Sequence, residues 1–274
     1  MMQVLYLDTP IHYDRIFRST EEKEQIEKVT RNKKLFSSTF VYNEFKKIGL
    51  NSVILFYNLL VDKNTRNPIH ALQRSGRYVE REIARGNLSK GVQSKIVDIF
   101  ATYCQNHRDD KELILKKLQM WIEEKWEVEF EDEIRLPLLN STNCQRCNGF
   151  PVMELETYRP IPDVCNLKNP PECNIIEFWK IFNSQLKKII NFDDKSLVEY
   201  EFDKDNFRTI KSSLREIESG KCPVGRRCKV FLSDLIIALE STKIEEDYAI
   251  LTTNIKDFFP FCKILDIKLK SPND

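Results

Sequence analysis

Three features of the chain predict an α/β fold built on a mostly parallel central sheet. Short apolar runs stand near both ends, Val4-Leu-Tyr-Leu7 at one and Ala249 to Thr252 and Ile264 to Leu269 at the other. Charged stretches with helical spacing fill the sequence between them. Strands buried on both faces read as continuous apolar runs, and parallel strands need helical crossovers to join them. The acids that follow these runs matter for function, because ligands of such sheets collect at the carboxyl ends of the strands.

The elements follow in order. Val4 to Leu7 reads as a buried strand stopped by the polar turn Asp8-Thr9-Pro10, since proline cannot continue a central strand. From about Glu21 the composition is charged and helical. Ser37-Ser-Thr39 supplies N-cap residues for a helix over Phe40 to Ile48, with Gly49 as its stop. Residues 51 to 135 read as helical throughout, with breaks at Asn67-Pro68 and near Gly86 and Gly91, and with Leu113 to Trp126 amphipathic. Residues 136 to 175 carry six prolines and four cysteines and predict little regular structure, so something else must hold them. Helices resume over Ile175 to Asn191 and Lys204 to Ser219. Gly220 opens a last segment in which Ser233 caps a helix to about Ser241.

Bulk properties narrow the function. The 274 residues suffice for one large domain with insertions or two small ones. A net charge of +1 excludes a global basic field, so any nucleic-acid contact must come from a local patch. No apolar run approaches the roughly 20 residues of a membrane span. The start, Met1 to Asp8, lacks a basic leader and does not read as a signal peptide, which predicts a cytoplasmic protein with reduced or metal-bound cysteines.

Chemistry concentrates in acids at the edges of apolar elements. Asp8 ends the first strand, Glu44 sits near the apolar face of the Phe40 helix, and Asp234 opens the helix Leu235-Ile-Ile-Ala-Leu239. The strand from Ala249 runs into Thr252-Thr-Asn254-Ile-Lys-Asp257. Oxygen ligands at the ends of buried elements are what magnesium or manganese needs. Each acid alone also reads blandly: Asp234 complements a helix dipole, Asp8 is a turn acid, Glu44 is solvated. Glu240, nearly two turns beyond Asp234, reads as surface.

Taken in order, Val4-Leu-Tyr-Leu-Asp8-Thr9, Ser38-Thr-Phe-Val-Tyr-Asn-Glu44-Phe, Leu232-Ser-Asp234-Leu-Ile-Ile-Ala and Leu251-Thr-Thr-Asn254-Ile-Lys-Asp257-Phe resemble the signature blocks of PIN-domain nucleases, which include the VapC-type ribonucleases. The resemblance covers residues 3 to 48 and about 228 to 268. It implies a PIN-like three-layer fold split between residues 1–50 and 220–274. Inserted between these parts would be a helical segment at 51–135, a Cys/Pro-rich segment at 136–175, and helices at 176–219 that pack back on the core. It also implies a Mg²⁺- or Mn²⁺-dependent nuclease, with RNA the favoured substrate. Asp8, Glu44, Asp234 and Asp257 would be catalytic, and the same four with Asn254 would bind metal. Thr9 and Thr253 would position water or phosphate. Asn254 stands where the family often has aspartate. The alternatives are a weakened PIN-like RNA-binding or scaffold module, and a DNA-directed nuclease in phage defence. Small relatives act as dimers with antitoxins, so an inhibitory or regulatory protein partner and a homo-oligomer enter as expectations.

Cys144-x2-Cys147 with Cys165-x7-Cys173 is a candidate structural zinc set, against a reading as unligated thiols. Cys222 and Cys228 are weaker candidates, and Cys104 and Cys262 read as core. Arg74, Arg77, Arg81 and Arg85 recur at helical steps and are candidates to track a phosphate backbone. Nearby glutamates favour a solvated, salt-bridged face instead. Arg226, Arg227 and Lys229, just ahead of Asp234, are the other candidate nucleic-acid contacts.

Overall fold

The computed structural model describes residues 3–84, 91–104, 110–131, 138–166, 173–193, 202, 204–219 and 232–274. Sequence expectations at Arg85, Gly86, Gly220, Cys222, Arg226, Arg227, Cys228 and Lys229 lie outside them. The architecture is α/β. Strands β1 (Val4–Leu7), β2 (Lys34–Phe36), β5 (Tyr248–Leu251) and β6 (Lys268–Lys270) form a sheet of order β2-β1-β5-β6. Every pairing is parallel, with Leu5 opposite Leu35 on one side and Ala249 on the other. A two-stranded antiparallel hairpin, β3 (Val152–Glu154) with β4 (Thr157–Arg159), stands apart.

The period of two along β1 sorts its side chains into two layers. Leu5 and Leu7 join Leu35, Ala249 and Leu251 beneath Ile11 of α1 (Thr9–Phe17) and Ile26 of α2 (Thr20–Thr30). Val4, Tyr6 and Ile250 face the larger core, which includes Leu235 to Leu239 of α12 (Ser233–Ser241) and Phe258 and Phe261 of α13 (Ile255–Leu265). Helices on both faces of the sheet give a three-layer arrangement. Full burial of each large apolar side chain stabilises by about 1.5–3 kcal/mol, so the sheet is fixed from both sides.

The same large core continues through α3 (Thr39–Phe45), α4 (Asn51–Val61), α5 (Pro68–Ala84), α6 (Gly91–Cys104), α7 (Lys111–Met120) and α8 (Trp126–Glu131). It reaches α9 (Ile175–Ile181), α10 (Asn183–Asn191) and α11 (Lys204–Glu218) as well, and it buries Cys104 and Cys262 as expected. None of the helices among the described residues is long and apolar enough to cross a membrane.

Four local expectations are corrected. Asp8-Thr9-Pro10 is not a turn but the start of α1: Asp8 is the N-cap and accepts from the Thr9 amide. Pro10 fits there because a helix's first turn leaves its N–H groups without helical partners. Gly49 does not stop the helix begun at Thr39. The chain passes through a wider π turn at Lys46–Leu50 and enters α4 directly. Ile264 belongs to α13, and the last strand begins only at Lys268. Ser233 is the first residue of α12, and Leu232 occupies its N-cap. The N-cap at Ser38 is as expected, its hydroxyl accepting from the Val41 amide.

The Cys/Pro-rich stretch is held by asparagines. Asn58 accepts from the Tyr158 amide at 2.8 Å and donates to its carbonyl at 2.7 Å. Asn51 does the same for Ile161, at 2.9 and 3.0 Å. Asn43 donates to the Cys144 carbonyl at 2.9 Å. Backbone groups that lack sheet or helix partners are thus satisfied by carboxamides on α3 and α4. The segment also pairs with the end of β2, where Thr39 N–H donates to Leu139 O at 2.8 Å.

Candidate active site

Parallel strands deliver their ends to one edge of the sheet, and the acids gather there. Asp8, at the end of β1, is 1% exposed. Its Oδ1 accepts from the Thr9 amide and its Oδ2 from the Thr252 hydroxyl, both at 2.7 Å. Thr252 lies just past β5 and is itself aimed by the Asn254 amide, which donates to its hydroxyl at 2.9 Å. Glu44, in the last turn of α3, accepts from the Thr9 hydroxyl at 2.7 Å. Asp234 enters from the first turn of α12. Asp8, Thr9, Glu44 and Asp234 line a cleft of about 400 Å³ whose wall also includes Tyr13, Asp14, Arg18, Lys95, Thr253 and Asn254.

The electrostatics are those of carboxylates crowded without enough counter-charge. Burial pushes the Asp8 carboxyl from 3.8 up to about 7, with Glu44 and Asp257 adding repulsion and the bonds from Thr252 and Thr9 opposing it. Asp234 is also raised well above the ordinary carboxylate range, by burial first and then by Asp8, Glu44 and Asp257. It keeps partial exposure into the cleft, yet protein encloses it closely enough for desolvation to dominate. Desolvation and like charges both favour the neutral acid.

Arg146, from the Cys/Pro-rich segment, approaches Glu44. Its Nη1 lies 3.6 Å from Glu44 Oε1, and its Nε lies 3.4 Å from Asp163 Oδ2. At 5% exposure it is buried, and among the described residues Nη1 has no hydrogen-bond partner, so the Glu44 contact is a long ion pair.

The other expected site residues divide. Asn254 and Thr253 line the cleft, but both are exposed. Asp257, one turn into α13, lies instead beside a shallow groove with Asn206, Phe207 and Lys256, within electrostatic reach of Asp8 and Asp234. The Thr9 hydroxyl is committed to Glu44. Glu240 is corrected: it is 0% exposed, and it accepts the Ser141 amide at 2.8 Å. Arg74 stands outside the cleft wall, its Nη2 paired with Asp62 at 2.8 Å and its Nη1 donating to Thr65. Arg77 and Arg81 are exposed and stand away from the cleft wall.

Among the cysteines, Cys144 has the thiols of Cys165 and Cys173 as electrostatic neighbours. Cys147 instead lies among Arg146, Asp163, Lys47 and Lys46. Burial pushes Cys144 up to about 12 and Cys147 to about 11. Among the described residues, no three His, Cys, Asp or Glu side chains stand together as a formed metal shell.

Sequence reasoning missed Thr252, Arg146, Lys95 and Asp14. Thr252 was legible in principle, as the hydroxyl beside a strand end. The others come from distant segments with no local signature. Compared with protein-family models, curated proteins and solved structures, the chain matches none of them.

Proposed function

We propose that this chain is a divalent-metal-dependent nuclease of PIN type acting on RNA. The observation that carries the reading is the pair of desolvated acids Asp8 and Asp234, with Glu44 adding repulsion to both, at the carboxyl edge of a parallel sheet. Uncompensated buried carboxylates are costly, and a bound divalent cation removes that cost. The donors fit in kind: carboxylate oxygens suit magnesium or manganese, and among the described residues the cleft wall includes no thiol or imidazole.

Asp8, Glu44 and Asp234 would hold the ion, with Asn254 and Asp257 at its margin. When bound, the ion supplies a water of lowered pKa and offsets charge developing on phosphorus. The protein's own part is positioning. Thr252 and the Thr9 amide fix both oxygens of Asp8, and the Thr9 hydroxyl and Arg146 fix Glu44 from two sides. Thr253 stands exposed at the cleft, where a phosphate oxygen would approach. Whether Cys144, Cys147, Cys165 and Cys173 take up a structural zinc is checked by metal analysis of the purified protein.

The direct test is incubation with RNA and Mn²⁺, with and without chelator. Cleavage should require the metal and vanish in Asp8→Asn and Asp234→Asn; cleavage that survives either change or the chelator overturns the proposal. One observation favours a weakened RNA-binding form of the same site: Asn254 lines the cleft while Asp257 sits beside a separate groove. Metal binding by calorimetry without cleavage of RNA or DNA would select that form, and cleavage of DNA alone would select a DNA-directed enzyme.

A further inference from the structure

The cleft has a basic side that the acids do not use. Lys95, on α6, reaches its wall from the helical stretch between the two acidic halves of the chain. The ammonium lies 3.5 Å from the centroid of the Tyr13 ring, and among the described residues it has no ion-pair partner. Arg18, also on the wall, is taken up by Asp14, its Nε at 2.9 Å from Oδ1.

The position of Lys95 is built rather than incidental. Tyr13 Oη donates to the Lys95 carbonyl at 2.9 Å, so the residue that carries the cation on its ring face also fixes that cation's backbone. Seven residues on, α6 is tied again to the end of α1, where Thr102 Oγ1 donates to Phe17 O at 3.0 Å. Since Asp8 caps α1, one short helix sets the spacing between the acid cluster and this ammonium. Burial lowers the Lys95 ammonium below the ordinary lysine value, and Asp14, Asp98 and Glu44 only partly restore it.

An acidic cleft repels a polyanion, so a nuclease working here needs a fixed cation beside the metal position. We propose that Lys95 binds a phosphate of single-stranded RNA next to the phosphodiester presented to Asp8, Glu44 and Asp234. This assignment rests on the nuclease reading above. Lys95 is then a substrate-binding residue, and the helical insertion supplies part of the substrate path.

The test uses a fluorescently labelled 20-nucleotide single-stranded RNA with the full chain, in an Asp8→Asn background that prevents cleavage. Adding Lys95→Met, which keeps the apolar stem on Tyr13, should weaken binding about 10-fold, the scale of one charge-assisted contact. It should also reduce the slope of log affinity against log salt by about 0.7, the value for one phosphate of a single strand. Lys95→Arg should restore most of both. In the native background Lys95→Met should raise KM with little change in kcat and leave the Mn²⁺-induced melting shift intact.

Unchanged affinity and salt slope, with wild-type cleavage retained, overturn the Lys95 role alone. Absence of any RNA binding or cleavage by the parent protein overturns this role together with the nuclease reading. A loss of melting temperature that Lys95→Arg does not repair assigns Lys95 to structure and overturns the proposal too.

Discussion

Replacing Asp8 by asparagine should make the metal-free protein more stable, and the gain should depend on pH. Asp8 is buried, and its carboxyl is raised from 3.8 to about 7. Between those values the native protein holds a proton that the unfolded chain has released. Stability therefore falls as pH rises through that window. At about 1.36 kcal/mol per pH unit, the ionised carboxylate costs at most about 4 kcal/mol at pH 8 and about 1.5 kcal/mol at pH 5. Asparagine serves equally well as an N-cap. It forfeits the hydrogen bond donated by Thr252, worth about 1 kcal/mol. The net gain is about 3 kcal/mol at pH 8 and close to zero at pH 5. For a chain of this size that is a rise of roughly 6–12 °C at pH 8. Thermal melts in chelator at both pH values read it directly. A variant that melts below the wild type at pH 8, or an offset identical at both pH values, would refute the argument that an uncompensated charge sits at Asp8.

Mn²⁺ at about 100 times its Kd should stabilise the wild type by about 2.7 kcal/mol at pH 8, and Asp234→Asn should abolish that shift in melting experiments. Gly49→Ala would place a methyl 3.0 Å from Cε2 of the fully buried Phe45; denaturant titration should show a loss of about 1–3 kcal/mol. Asn58→Ala strips both backbone partners from Tyr158 and should cost about 1–3 kcal/mol, with faster amide exchange at Tyr158. His12 is fully buried against Phe130, its Nδ1 facing Arg15 and its Nε2 facing Ser37. Burial, followed by Arg15, holds it well below 6.5. Its contribution is therefore complete above about pH 6.5 and is lost as pH falls toward the depressed folded value, so His12→Phe should flatten that acid limb in pH-dependent melts.

What could be read from the sequence was local. The run Val4 to Leu7 announces a strand buried on both faces, and Ser38 announces a cap, because each signal involves residues within a turn of one another. β2 was missed because it is a three-residue edge strand, Lys34-Leu-Phe36, with only Leu35 fully turned inward. α1 was missed because Pro10 reads as a terminator, although at the first turn of a helix it is an initiator. The acids were legible as element ends; their partners were not. Thr252 and Arg146 reach Asp8 and Glu44 across 244 and 102 residues, distances at which no spacing rule operates.

The central pairing of the sheet, β1 with β5, joins residues 4–7 to residues 248–251. Contacts this distant in sequence form late, since the closure entropy of the intervening chain opposes them until other structure has shortened the path. During synthesis the first strand must therefore wait, unpaired on that edge, until residues 248–251 have emerged. Asp234 and the Thr252 bond to Asp8 arrive in the same final stretch. No nascent fragment that stops before Ser233 can bring Asp8, Glu44 and Asp234 together, so the cluster assembles only after both separated halves of the sheet have been made.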